Sequence, residues 1–164
     1  MLGERFDLLG FKLPILLAQE TMQLDITITD SPSPESLDLI ASGLDGFNLD
    51  AAGYADRREL AVLVTDPQTG KVLGGLTGRT SLGMLFIDLF YLPAELRGQD
   101  LGSRILAAAE DEARRRGCCS GLLYTISFQA PDFYVKQGWR VFGEIPCEPA
   151  GTRRVFFSKD LLAS

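Results

Sequence analysis

The stretch that most constrains this chain covers residues 85–117, LFIDLFYLPAELRGQDLGSRILAAAEDEARRRG. It opens as an apolar run of strand length, passes through a short loop, and continues with apolar residues at helical spacing. Leu101, Ile105, Ala108, Ala109 and Ala113 fall on the expected buried side of that helix. Arg104, Glu110, Asp111 and Arg114 fall toward solvent. Arg114, Arg115 and Arg116 complement the negative helix end, and Gly117 suits the residue just past it. A strand that delivers a loop of free N–H groups onto a helix N-terminus builds an anion site. Gly98 lets that loop turn, and Gly102 lets a ligand approach the backbone with no Cβ in the way.

The flanking chain predicts a mixed α/β sheet. Residues 24–30, LDITITD, alternate like a first strand, and Ser31-Pro-Ser-Pro-Glu-Ser is a turn and helix-start signal. The helix is expected to run to about residue 48, with Leu37, Ile40, Ala41 and Leu44 on one face. Gly43 and Gly46 are expected to break or bend it before Phe47. Strands follow over 58–65 and 71–80, joined by a hairpin loop at 66–70, and Gly74-Gly75 reads as a bulge or a close backbone approach. A third antiparallel strand covers 85–92. Beyond the central helix come a strand (121–127), a short helix (130–137) and two more strands (139–144 and 153–158). The order is antiparallel first, then one crossover helix leading to a parallel neighbour.

Residues 1–21 read as an N-terminal extension packing on the domain, or as residues upstream of a start at Met22, and 22–164 as the domain. Asp7, Lys12 and Pro14 interrupt the apolar residues of the extension, so no run reaches the ~20 residues that span a bilayer. The formal net charge of −6, from 16 basic and 22 acidic side chains, argues against nucleic acid and anionic membrane and mildly favours a cationic partner. The chain has no histidine. That removes Ser-His-Asp and Cys-His mechanisms and HExxH zinc sites, and leaves acid–base work to carboxylates, Tyr, Lys, thiols or water. No metal site is expected. Cys118, Cys119 and Cys147 form neither a CxxC motif nor a disulfide framework; the adjacent pair reads as small buried apolar residues, which fits a reducing cytoplasm.

The loop segment 96–103, LRGQDLGS, resembles the acetyl-CoA loop of the GNAT superfamily of N-acetyltransferases, whose pattern is Arg/Gln-x-x-Gly-x-Gly/Ala. Residues 130–139, APDFYVKQGW, are similar to that family's A-x-x-FY-x-x-x-GF segment at the expected distance. The likeness covers about residues 24–161. It implies the GNAT fold, a mostly antiparallel sheet of six to seven strands flanked by about four helices. It also implies transfer of an acetyl group from acetyl-CoA to an amine of a small molecule or peptide, by direct attack in a ternary complex, and a homodimer.

The resemblance further implies site roles. The diphosphate of CoA would sit on the backbone amides of Arg97, Gly98, Gln99, Asp100, Leu101, Gly102 and Ser103. The pantetheine arm would pair with the backbone near Phe90, Tyr91 and Leu92, where an N–H would polarise the thioester carbonyl. Asp88, the one charge in LFIDLFYL, stands where some members carry a Glu base, and Tyr134 falls on the FY tyrosine, the general acid toward the CoA sulfur. Ser127 stands where relatives often have an Asn that contacts CoA. Asp100 departs from the pattern, which usually has Gly, and reads otherwise as a helix N-cap. The acceptor site would draw on Phe47, Asn48, Tyr54, the strand around 77–80, and Glu144, Cys147 and Glu148. Two other readings stay open: a non-catalytic acyl-CoA-binding module, and a nucleotide-binding regulatory domain using the same loop.

Overall fold

Two aliphatic strands side by side, MLFI and SGLL, form the only parallel pairing in the described sheet, Met84 to Ile87 against Ser120 to Leu123. A computed structural model describes residues 24–162. Its elements run in the order α1 (Pro34–Ala52), β1 (Arg58–Thr65), β2 (Val72–Ser81), β3 (Met84–Tyr91), a 3₁₀ turn (Ala94–Leu96), α2 (Leu101–Arg115), β4 (Ser120–Ile126), α3 (Pro131–Lys136), β5 (Arg140–Cys147) and β6 (Thr152–Asp160). The six strands lie in the order β1-β2-β3-β4-β6-β5, and every neighbour except β3/β4 is antiparallel. The chain divides between Pro34 and Glu35, and the unit from Glu35 onward carries the sheet. The mixed, mostly antiparallel architecture is the one expected from the sequence.

The core lies where α2 packs on one face of the sheet. Ile105, Leu106, Ala109 and Ala113 of the helix meet Leu76, Leu85, Leu123, Val155 and Phe157 of the strands, all buried. Trp139 closes one side; a Cβ added at Gly121 would stand 2.7 Å from its indole, so that position is restricted to glycine. The period of α2 is displaced from the expected one. Leu106 and Glu110 are buried and Ala108 is exposed, because the buried stripe runs 105, 106, 109, 110, 113 and tolerates a charge in it. Glu110 is admissible there only because its carboxylate accepts hydrogen bonds from Lys159 Nζ at 2.7 and 2.8 Å and from Trp139 Nε1 at 2.9 Å. At the helix end Gly117 takes φ +85°, and Cys118 N–H donates to the Ala113 carbonyl, the Schellman closure. Arg116 reaches back from there to the carbonyls of Arg58 and Glu59 and to Thr80 Oγ1, tying α2 to β1 and β2.

Several other expectations change. Residues 24–30 form no strand; alternation supplies two faces but a strand also needs a ladder partner, and LDITITD has none among the described residues. Helix α1 is continuous through Gly43 and Gly46 to Ala52 and ends at Gly53, whose φ is +67°. Two isolated glycines cost roughly 1 kcal/mol each in a helix, which weakens it without setting its end. None of its residues is buried. Of the cysteine pair, Cys118 is buried, with burial pushing its thiol up, while Cys119 is exposed. The Gly74-Gly75 expectation holds. The β1/β2 register shifts beside Gly74, and a Cβ on Gly75 would strike the Val62 carbonyl oxygen. The 1–21 extension lies outside the described residues.

Candidate active site

The short parallel pairing decides where the site forms. Past Ile87 and Leu123 strands β3 and β4 separate, so the edge of β3 from Asp88 onward has no strand beside it. The gap is a cleft of about 1120 Å³ that leads from this fork to the first turn of α2. Its floor is aromatic. Phe90 and Phe133 meet edge-to-face at 6.0 Å, Phe133 and Tyr134 at 5.1 Å, and Tyr134 tilts on Phe157 at 5.6 Å.

At one end lies the loop that leads into α2. The N–H groups of residues 98–103 donate to no other group of the described residues, since the first bond into the helix is from Arg104 N–H to the Asp100 carbonyl. Gly98 turns the loop with φ +74°. Arg97 is folded back, its Nε donating to the Leu92 carbonyl at 2.8 Å, and so pins the loop to the end of β3. Ser103 is held by Gln137 Nε2 at 3.1 Å, which fastens α3 to α2. Gly102 packs against the Phe133 ring and lines the cleft.

Asp100 corrects the N-cap reading. It occupies the cap position with φ +60°, a left-handed conformation, and its side chain makes no cap hydrogen bond. The preference for Gly at this place therefore has a backbone cause. The carboxylate also lines the cleft.

At the other end stands Asp88. It is skipped in the β2/β3 register, where Gly78 faces Ile87 and Thr77 faces Leu89, so it sits in a β-bulge that turns its side chain out of the alternation. Arg79 Nη1 lies 2.8 and 3.0 Å from its two carboxylate oxygens. Tyr134 is buried and its hydroxyl makes no hydrogen bond among the described residues; desolvation by burial pushes its pKa up to about 12. It therefore keeps its proton across the physiological range.

The structure brings Asp88, Phe90, Tyr91, Leu92, Arg97, Gly98, Asp100, Gly102, Ser103 and Tyr134 to one cleft. Gln99, Leu101 and Ser127 do not line it. Gln99 Nε2 turns to the Glu95 carbonyl at 3.3 Å, Leu101 packs on the core, and Ser127 Oγ accepts the Arg153 N–H at 3.1 Å. The residues expected at the acceptor side, Phe47, Asn48, Tyr54, Glu144, Cys147 and Glu148, lie outside the lining too. Glu144 is engaged by Arg153 at 2.7 Å. Thr80 is fully buried under Arg116. Sequence reasoning missed Tyr124, Gln129 and Arg154, which line the cleft; Arg79, within the expected 77–80 stretch, reaches it only through Asp88. Gln129 Oε1 accepts from Thr125 Oγ1 and Ile126 N–H, which holds the end of β4 as it leaves β3. Alternation on β4 and β6 leaves Tyr124 and Arg154 exposed, but only the β4/β6 register brings these two together.

Residues 28–139 match the acetyltransferase (GNAT) family. An acetyltransferase of Agrobacterium fabrum is 31% identical over 122 residues, 74% of this chain and 88% of that protein. The blasticidin-S acetyltransferase of Streptomyces morookaense is 39% identical over 95 residues, 57% of this chain and 70% of that one. The crystal structure of an acetyltransferase from Agrobacterium tumefaciens superposes with a TM-score of 0.74 at 29% identity, covering 84% of this chain and 99% of its own. With the forked sheet, the free amides before α2 and these likenesses together, the chain belongs to the GNAT family of acetyltransferases.

Proposed function

We propose that the chain moves the acetyl group of acetyl-CoA to a primary amine of a small molecule or peptide, by direct attack of the amine in a ternary complex. The observation that carries this reading is the continuity of the unpaired β3 edge with the free N–H row over residues 98–103. A long ligand with a diphosphate at one end and an amide-bearing arm at the other fits such a path. Similarity to an enzyme named for blasticidin-S supports a small-molecule acceptor. Three unpaired cysteines fit a reducing compartment, and we place the activity in the cytoplasm.

The amides of residues 98–103 would hold the diphosphate against the positive end of α2. The backbone at Phe90, Tyr91 and Leu92 would receive the pantetheine arm, with the Leu92 carbonyl already taken by Arg97. A β3 N–H would donate to the thioester oxygen as negative charge develops there. Asp88 would take the proton that the amine must lose, directly or through water, exchanging its contact with Arg79 to do so. Tyr134 would give its proton to the departing thiolate. The N–C bond forms as the C–S bond breaks, and the proton lost by the amine balances the one returned to tyrosine through solvent.

The test is thiol release from acetyl-CoA against a panel of amines, with the acetylated product identified by mass. Amine-dependent release with a matching amide product is expected. CoA retained without turnover of any amine would favour an acyl-CoA-binding module, and preference for ATP or NAD over CoA a nucleotide-binding one.

A further inference from the structure

Two cations that line the cleft, Lys136 on α3 and Arg154 on β6, have no part in the proposed transfer, and Arg154 is the one held in place by an aromatic ring. Arg154 on β6 lines the same cleft as Asp88 and Tyr124, with its guanidinium carbon 4.8 Å from the centre of the Tyr124 ring. Tyr124 is the first residue of β4 beyond the last pair with β3, so it stands on one arm of the fork, as Asp88 does on the other. Arg154 sits opposite Ile126 and Tyr124 opposite Phe156 in the β4/β6 ladder, a diagonal offset that lets the long side chain lie over the ring.

The charges around this fork are mostly neutralised. Asp88 is paired with Arg79, and Arg153 is paired with Glu144. Arg154 makes no ion pair or hydrogen bond among the described residues. The stacked plane fixes the guanidinium face while its N–H edge stays open, and that edge matches a planar carboxylate in two-point fashion. The fork thus presents a positive group without a counter-charge among the described residues, in a chain whose overall charge is −6.

We infer that Arg154, held over Tyr124, is a specificity-determining residue that binds a carboxylate on the acceptor, which makes the acceptor class an amine that also carries a carboxylate, such as an amino acid. A carboxylate is favoured over a phosphate because a single guanidinium faces it. This inference rests on the acetyl-transfer reading above.

The experiment compares kcat/KM for amino acids with those for the corresponding carboxamides, which keep the amine and lose the negative charge. Wild type, Arg154→Gln and Arg154→Lys are measured. The expected result is a preference of about tenfold or more for the carboxylate in wild type, the scale of one charge-assisted contact. Arg154→Gln should bring that ratio toward one, mainly through KM for the carboxylate, and Arg154→Lys should restore part of it. Equal kcat/KM for acid and carboxamide in wild type, or a ratio unmoved by Arg154→Gln, would overturn the assignment and leave acetyl transfer standing. Failure to acetylate any amine at all would instead overturn the transfer reading, and this inference with it.

Discussion

Arg79 on β2 and Asp88 on β3 meet across the hairpin, one guanidinium nitrogen 2.8 and 3.0 Å from the two carboxylate oxygens. The bulge that leaves Asp88 unpaired in the ladder is what turns this carboxylate toward the fork. Asp88→Asn keeps the shape and removes the proton acceptor. It is expected to lower kcat by roughly 10²-fold or more. The melting temperature should move little, because partly exposed ion pairs contribute about 0–1 kcal/mol. Steady-state kinetics beside a thermal melt will decide; an unchanged kcat removes Asp88 from the proton path.

Tyr134 has its pKa pushed up to about 12 by burial, above the ordinary value of 10.0. The sign follows directly. The raised value favours the protonated folded state, so its contribution to stability is complete below pH 10 and is lost as pH rises through about 12. As an acid it should add no falling limb to the kcat profile below about pH 10. Tyr134→Phe should reduce kcat by roughly 10²-fold and make alkaline unfolding less steep over that window. A variant with wild-type kcat would show that the sulfur leaves without this proton.

Asp100 carries two handicaps at once, a left-handed backbone and a carboxylate in the cleft that receives the proposed diphosphate. Asp100→Gly is therefore expected to raise stability by about 1 kcal/mol and to tighten CoA binding. Calorimetric titration with CoA measures the second effect. Equal or weaker binding in the variant would mean that the carboxylate points away from the ligand.

Glu110 holds Lys159 and Trp139 and lies outside the cleft lining, which it meets only through the Lys159 bond to the Gln137 carbonyl. Glu110→Ala leaves the part-buried Lys159 ammonium without its carboxylate, and should destabilise the fold by about 3–5 kcal/mol in urea unfolding. Glu110→Gln, which can still accept from Trp139, should cost less. A loss below about 1 kcal/mol for the alanine variant would show that Lys159 finds solvent.

The fold was legible in residues 85–117 because a buried strand, a glycine turn and a periodic helix each leave a local signature there. The β1/β2 hairpin followed from its loop at 66–70, and the parallel neighbour of β3 from the crossover helix, whereas the insertion of β6 between β4 and β5 has no local signature. Where a residue's fate depends on a distant partner, local pattern failed. Glu110 reads as a solvent-side charge until Lys159 and Trp139 are placed against it. Residues 24–30 read as a strand, though alternation cannot supply a neighbour. Of the cleft-lining residues, Asp88 was visible as the one charge in LFIDLFYL, and Tyr134 through the resemblance of residues 130–139 to a family segment. The stacking of Arg154 on Tyr124 was not, since it arises from the β4/β6 register, which no single segment encodes. The left-handed φ at Asp100 was hidden for a similar reason: its residue type suggests a cap by side chain, and the loop imposes a different backbone.

In the proposed reading, the free amides over residues 98–103 and the unpaired edge of β3 form one acyl-CoA cradle. The most direct measurement is an amide-resolved NMR titration with CoA, run in parallel with NAD. The largest shifts are expected on Gly98, Gly102 and Ser103, extending along β3 through Phe90 and Tyr91 and saturating at lower CoA than NAD. Shifts confined to other surfaces, or an equal response to NAD, would contradict it.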